Sequence, residues 1–216
     1  ELTINKAGTV KVQATKIEDE DYESATAVYT LEVSKAQQNN LYFVHAKTEI
    51  SWNQNGNEYG NELDGGSGTG IVSYKIVSEK NLEEKEVQTG TVATINAESG
   101  ELAILSTGSI EVQAIKAGDD CYEEAAATYK LTINKATQKI EFAEKNISLY
   151  YGKTDYAQSA KEVEIPEAAD GKGVGTGSIA YSIDGENPLN AKIDKKTGKV
   201  TFVDGKIGTI TVKAVK

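Results

Sequence analysis

Apolar residues recur at every second position along much of this chain. Val10, Val12 and Ala14 alternate with Lys11, Gln13 and Thr15, and the pattern returns at Ile110, Val112, Ala114 and at Ile210, Val212, Ala214. Tyr29, Leu31, Val33 and Tyr129, Leu131, Ile133 form a second such set. Side chains two apart share one face of a strand, so each run predicts a half-buried strand with one apolar row. The runs are rich in β-branched residues and Tyr, which suit a pleated surface. Turn signals separate them. Asn96 precedes Ser99-Gly100, and Asp194 precedes Thr197-Gly198. An Asx side chain bonds amides two residues on, and Gly accepts positive φ, which together predict hairpins. Gly65–Gly70 and Gly171–Gly177 read as flexible loops. The segments Glu23–Tyr29 and Glu123–Tyr129 contain helix formers but run straight into strands, so a short turn or 3₁₀ piece is the most they predict. The fold class predicted is all-β. Seven or so short alternating strands in about 100 residues point to a two-sheet antiparallel sandwich, a size that buries enough apolar surface to fold without disulfides.

The alternation is repeated at long range. Residues 8–36 and 108–136 align without a gap, and 14 of the 29 positions are identical. A third copy, GTITVKAVK, starts at Gly208. The other half of the unit recurs as well: residues 93–102 match 191–200, residues 69–76 match 176–183, and the stretch after Trp52 loosely matches the one after Tyr150. Lys35-Ala36 and Lys135-Ala136 each follow an alternating strand and precede a Gln, so they read as linkers. On that phase, residues 1–35 are the last part of one unit, 36–135 a complete unit, and 136–216 a unit lacking its final strands. The expectation is tandem sandwich repeats of about 100 residues cut from a longer array. A chain without Met, opening and closing in mid-unit, supports that expectation.

Composition narrows the function classes. The 216 residues carry a formal charge of −10, and all 23 basic residues are Lys. An acidic chain without Arg is a poor match to nucleic acid, which needs clustered cations. No apolar run approaches the 18 or so residues that span a bilayer, and no signal peptide is evident. One Cys gives neither an internal disulfide nor a thiolate metal site, and one His gives no His cluster.

The order of motifs carries a family resemblance. An Ile-Asp-x-x-Thr-Gly turn (Ile193–Gly198), a Gly-Thr-Ile-Thr-Val-x-Ala strand (Gly208–Ala214), an acidic loop leading to Tyr (Asp119–Tyr122) and a closing Tyr-x-Leu-x-Ile strand (Tyr129–Ile133) resemble the bacterial immunoglobulin-like repeats of large surface adhesins. The resemblance covers essentially the whole chain. It implies tandem immunoglobulin-like sandwiches, a secreted setting on a bacterial cell surface, and a non-catalytic stalk or fibre.

Each candidate site has a structural alternative. The acidic loops, Asp19, Glu20, Asp21 and Asp119, Asp120, carry enough carboxylates for Ca²⁺, which takes six to eight oxygens; otherwise the first Asp of each simply caps a turn. Gly118 and Cys121 replace Glu18 and Asp21, which removes a ligand from the second copy. Tyr22 and Tyr122 read as rings closing a sandwich end. Trp52 and Tyr59, with Tyr42 and His45 nearby, could stack on a sugar, whereas the alignment with Tyr150 or Tyr151 puts Trp52 in a core. No Ser or Cys nucleophile has a base partner beyond His45, so no enzyme activity and no cofactor are expected. Cys121 reads as incidental. The expected partners are neighbouring repeats, or other copies through strand complementation of the incomplete unit by residues 17–35. A host protein or glycan at the Trp52 loops, or a place beside a larger surface enzyme, are the alternatives.

Overall fold

The computed structural model describes residues 2–52, 57–150, 153, 155–158, 161–162, 176–202 and 206–216. The chain divides into two compact units, Glu1–Ile50 with Asn57–Asn134, and Lys135–Lys216 with Ser51–Gly56.

The first unit opens with a hairpin of β1 (Gly8–Lys16) and β2 (Ala25–Val33), which forms a sheet of its own. There follow β3 (Tyr42–Phe43), β4 (Lys47–Ser51), β5 (Glu58–Tyr59), β6 (Leu63–Asp64), β7 (Val72–Lys80), β8 (Ala93–Ile95), β9 (Leu102–Ile104), β10 (Gly108–Lys116) and β11 (Ala125–Asn134). They build a four-stranded sheet in the order β4-β11-β10-β7, a three-stranded sheet β5-β9-β8 and the pair β3-β6. The predicted apolar rows are the core. Ile110, Val112 and Ala114 of β10 and Tyr129, Leu131 and Ile133 of β11 are all 2% exposed or less, and Leu102, Ile104, Ala93 and Phe43 are buried with them. Each large apolar side chain so buried stabilises the fold by about 1.5–3 kcal/mol. The Glu123–Tyr129 segment is loop and then strand from Ala125, because alternate positions of that run are needed in the core.

One departure from simple alternation decides a buried charge. The β7–β10 ladder slips between Glu111 and Val112, so that Val112 faces Ile76 while Ile110 faces Glu79. Ile110 and Val112 both point into the core, and the extra residue therefore turns Glu79 inward. Glu79 is 1% exposed. Its carboxylate accepts the backbone N–H groups of Gly90, Thr91 and Val92 at 2.8, 3.0 and 2.7 Å. A buried carboxylate is tolerated when its lone pairs are so satisfied, and here it fastens the loop from β7 to β8.

The second unit has β12 (Ile140–Glu141), β13 (Asp155–Tyr156), β14 (Lys161–Glu162), β15 (Ala180–Asp184), β16 (Lys192–Ile193), β17 (Val200–Thr201) and β18 (Thr211–Val215). Its sheets are β12-β14, β13-β17-β16 and β15-β18. Leu189, Ala191 and Val200 are its buried centre, packed by Ile183, Ile193, Phe202, Ile210 and Val212.

The two units share construction down to single hydrogen bonds. Tyr74 pairs with Ala114 across β7–β10, and Tyr181 with Ala214 across β15–β18. In the turn below each Tyr, Asn96 Oδ1 accepts from Glu98 N and Ser99 N, and Asp194 Oδ1 accepts from Lys196 N and Thr197 N. Gly100 N donates to Asn96 O and Gly198 N to Asp194 O, both at 2.9 Å. These glycines have φ of 76° and 71°, and a Cβ on either would sit 2.8 or 2.9 Å from the ring of Tyr74 or Tyr181. The Tyr ring thus rests on the turn where no side chain fits. Phe43 meets Tyr74 at a ring separation of 6.4 Å, and Phe142 meets Tyr181 at the same distance. The fold is all-β, built from immunoglobulin-like antiparallel sandwich units.

Two stability predictions follow from these contacts. Glu79→Ala leaves three inward N–H groups without their acceptor and should lower the urea-unfolding free energy of the first unit by about 3 kcal/mol. Gly90 also has positive φ, 87°, but open space around it. Gly90→Ala should therefore cost about 1 kcal/mol of backbone strain, and Gly100→Ala at least about 1 kcal/mol more from the Tyr74 clash, read from the same unfolding curves.

Candidate functional site

The β10–β11 loop, residues 117–124, gathers the acidic candidates of the first unit. Asp119 Oδ1 accepts from Cys121 N and Tyr122 N at 2.8 and 2.9 Å, and Asp119 N donates to Tyr122 O at 3.0 Å. The β1–β2 loop repeats this: Asp19 Oδ1 accepts from Asp21 N and Tyr22 N, both at 3.0 Å, and Asp19 N donates to Tyr22 O. In both loops the first Asp spends its carboxylate on the turn. Glu20, Asp21 and Asp120 lie exposed on the surface. Among the described residues, no three His, Cys, Asp or Glu side chains converge as metal ligands. Tyr22 is 72% exposed, whereas Tyr122 is half-buried.

Asp119 has a second task. Its Oδ2 accepts from Thr69 N at 2.7 Å and from Thr69 Oγ1 at 3.3 Å. The glycine-rich run read as a flexible loop is therefore pinned where it is described: Gly66 N also donates to Asn39 O, and Ala117 N to Ile71 O. Glycine is used for close approach, since a Cβ on Gly68 or Gly70 would run into Asp119 or the Ala117 carbonyl. Of the matching run, residues 171–175 lie outside the described residues. The Thr69 amide, then the Cys121 amide, hold the Asp119 carboxyl down at about 2, against 3.8 for an unperturbed one.

The same loop receives the Lys35-Ala36 segment. Ala36 N donates to Cys121 O at 2.8 Å, and Glu123 N donates to Ala36 O at 2.9 Å. Ala7 N donates to Asp120 O at 3.1 Å. Gln38 Nε2 reaches Glu123 O at 2.8 Å and Ala117 O at 3.2 Å. The exposed Lys6–Asp120 pair, 3.8 Å apart, adds little. Loop 117–124 thus holds the Lys35-Ala36 segment that follows β2 by backbone hydrogen bonds.

The aromatic candidates are placed separately. Tyr59 is half-buried, with its ring 6.2 Å from that of Tyr129. Trp52 is half-buried in the turn after β4. Tyr42 donates to Asp64 at 2.7 Å on the surface, and His45 is exposed. Of the residues aligned with Trp52, Tyr150 is exposed and Tyr151 lies outside the described residues.

Two further features stand beside these residues. First, the β1–β2 hairpin shows its apolar row to solvent. Tyr29 is 57% exposed, and Val10 43%, where their equivalents Tyr129 and Ile110 are 2% and 1%. Second, the second unit contains a cleft of about 360 Å³ lined by Phe142, Ile147, Leu149, Tyr156, Val200 and Val212 together with polar residues such as Glu144, Lys145 and Gln158. In the first unit the matching place is filled by Tyr129, whose ring lies 4.5 Å from Phe43 and 6.2 Å from Tyr59. Phe142 and Tyr156 correspond to Phe43 and Tyr59: Tyr59 pairs with Leu102 and Tyr156 with Val200. The signal in sequence was the recurrence of Tyr-x-Leu at 29 and 129; which partner each Tyr found was not written there.

No protein-family model matches the chain, and no curated protein matches it. Among solved structures it is similar to protocadherin gamma B2 extracellular cadherin domains 3–6, at 13% identity over 97% of this chain and 56% of that one, with a TM-score of 0.37. It is similar also to mouse cadherin-23 EC22-24, at 15% over 95% and 68%, TM-score 0.35, and to Drosophila N-cadherin EC1-4, at 14% over 94% and 50%, TM-score 0.36. The chain spans about half the length of the first and third. Superpositions this loose carry no argument about function. Among the described residues no helix is long and apolar enough to cross a membrane.

Asp119 makes the stability of loop 117–124 pH-dependent. A carboxyl held at about 2 when folded, against 3.8 unperturbed, contributes stability that is complete above 3.8 and drains away as pH falls towards 2. In Asp119→Asn, the slope of unfolding free energy against pH across that window should become shallower, as measured by urea titration at stepped pH.

Proposed function

We propose that the chain is a stretch of a non-catalytic array of tandem sandwich units, serving as an adhesive stalk or fibre segment outside the cell, on a bacterial surface. The observation that carries this reading is the repetition of construction rather than of sequence alone. The Tyr74–Gly100–Asn96 arrangement returns as Tyr181–Gly198–Asp194, with the same bonds at the same atoms. Loops 17–24 and 117–124 return likewise. Residues 36–135 are then one complete repeat, residues 1–35 the closing part of the one before, and residues 136–216 most of the one after. Loop 117–124 supplies a joint at the start of the complete repeat, so that load along the chain passes through backbone hydrogen bonds. Stacked units joined in this way give length and spacing, which is what a stalk needs. Its partners are neighbouring repeats or further copies of itself.

The test is mechanical. Pulled from residues 36 and 135, the complete repeat should break in one event and release about 330 Å of chain, at about 3.3 Å per extended residue. Gradual extension without a force peak would show that the repeat is not a load-bearing unit and would end the stalk reading.

A further inference from the structure

We propose that Asn146 is the acceptor of an N-linked glycan, transferred from a lipid-linked oligosaccharide diphosphate as the chain is exported. The inference rests on the extracellular reading above, which brings the chain past glycosylating enzymes. It adds a modified residue, the class of donor and a task for the sugar.

Such a transfer requires an Asn with a hydroxyl residue two positions on and no Pro between them. Asn146-Ile147-Ser148 meets that rule, and no other Asn of the chain does. Glu144 stands two residues ahead. The bacterial enzymes of this class ask for an acid at that place, where a carboxylate pairs with a cation by charge-assisted hydrogen bonds. The structure presents all three side chains. Residues 142–150 follow β12 outside any strand, and Glu144, Asn146 and Ser148 are exposed. The backbone of the segment is held, since Gln158 Nε2 donates to Glu144 O at 2.8 Å. The asparagines that shape this fold are occupied: Asn61, Asn81, Asn96 and Asn187 all bond backbone atoms through their side chains. Among the described residues, the Asn146 amide and the Ser148 hydroxyl make no such bond.

The first unit shows the same two positions facing outward from a paired strand. Phe43 and Phe142 hold equivalent places, against Tyr74 and Tyr181. Four and six residues further on stand Lys47 and Glu49 in the first unit, and Asn146 and Ser148 in the second. Lys47 and Glu49 are exposed on β4, whereas Thr48 is half-buried and Ile50 buried. The outward aspect of Asn146 and Ser148 therefore belongs to the repeat, whether or not the segment is paired. β4 is the outermost strand of the sheet β4-β11-β10-β7. Charged side chains on an edge strand keep it from pairing with another chain. The second unit has neutral groups at both positions, and a glycan on Asn146 supplies bulk and hydration there in place of the charges. In the transfer, Asn146 Nδ2 bonds to C1 of the first sugar. The C1–O bond to the lipid diphosphate breaks, the diphosphate leaves with the electron pair, and the nitrogen gives one proton to a base of the enzyme.

The experiment is intact-mass spectrometry of the purified full chain after incubation with a bacterial oligosaccharyltransferase and its lipid-linked oligosaccharide. The wild type should gain the mass of one glycan. Asn146→Gln and Ser148→Ala should gain none, and Ser148→Thr should be modified like the wild type. Glu144→Gln should slow the transfer about tenfold, the effect of one lost charged hydrogen bond. A synthetic peptide of residues 142–150 gives the reference rate. A peptide that is modified beside a folded chain that is not shows that the fold withholds Asn146, and overturns the proposal. So does a chain and peptide both left unmodified, or a gain of mass that survives Asn146→Gln. None of these results touches the stalk reading, which stands or falls with the single rupture of residues 36–135 under load.

Discussion

An antiparallel strand with one apolar row makes two demands at once: its row must be covered, and both its edges must be paired. β10 meets both. Ile110, Val112 and Ala114 face a core closed by the β5-β9-β8 sheet and Phe43, while β7 and β11 take the two edges. Everything else in the first unit serves that strand. The bulge in β7 lets the ladder continue past Val112 while turning Glu79 inward to hold the β7–β8 loop. β11 brings the Tyr129 ring between Phe43 and Tyr59. The copies of this strand at residues 8–16 and 211–215 carry the same pattern, and among the described residues their apolar positions are more exposed. The same local sequence thus gives the same strand three times and the same burial only once, because burial is a property of neighbours.

The turns show how a repeat tolerates divergence. Asn96 and Asp194 differ in charge but present the same acceptor oxygen to two backbone amides, and that oxygen is all the turn requires. Gly100 and Gly198 are constrained twice, by positive φ and by the Tyr ring lying on them. In the acidic loops, Asp19 and Asp119 keep their place, while Asp21 has become Cys121 and Glu18 has become Gly118. The retained residue is the one whose carboxylate organises the backbone; the altered ones project from it.

Strand positions, the common unit and the Asx-Gly turns were legible because each is local: period two, a 100-residue offset, a four-residue turn. The apolar rows of β10 and β11 predicted core residues correctly for the same reason. Three things were not legible. Glu79 stands where unbroken alternation from Tyr74 and Ile76 puts it outside, and only the pairing with β10 creates the bulge that reverses it. The Gly65–Gly70 run has the composition of a flexible loop; its rigidity where described comes from Asp119, fifty residues on, which binds Thr69. The packing of Tyr59 on Tyr129, seventy residues away, is a contact that no local pattern records.

By itself the sequence determined which segments are strands, which face of each is apolar, where the turns fall and that one unit is used repeatedly, since all of these follow from the spacing of residue types along the backbone. Only the tertiary structure decided which of the repeated apolar rows are covered and which carboxylates are spent on amides. Those depend on which distant segments meet, and identical strands with different neighbours differ in exactly that respect: Tyr129 is enclosed by Phe43 and Tyr59, whereas Tyr29, in the same register on the same kind of hairpin, faces water.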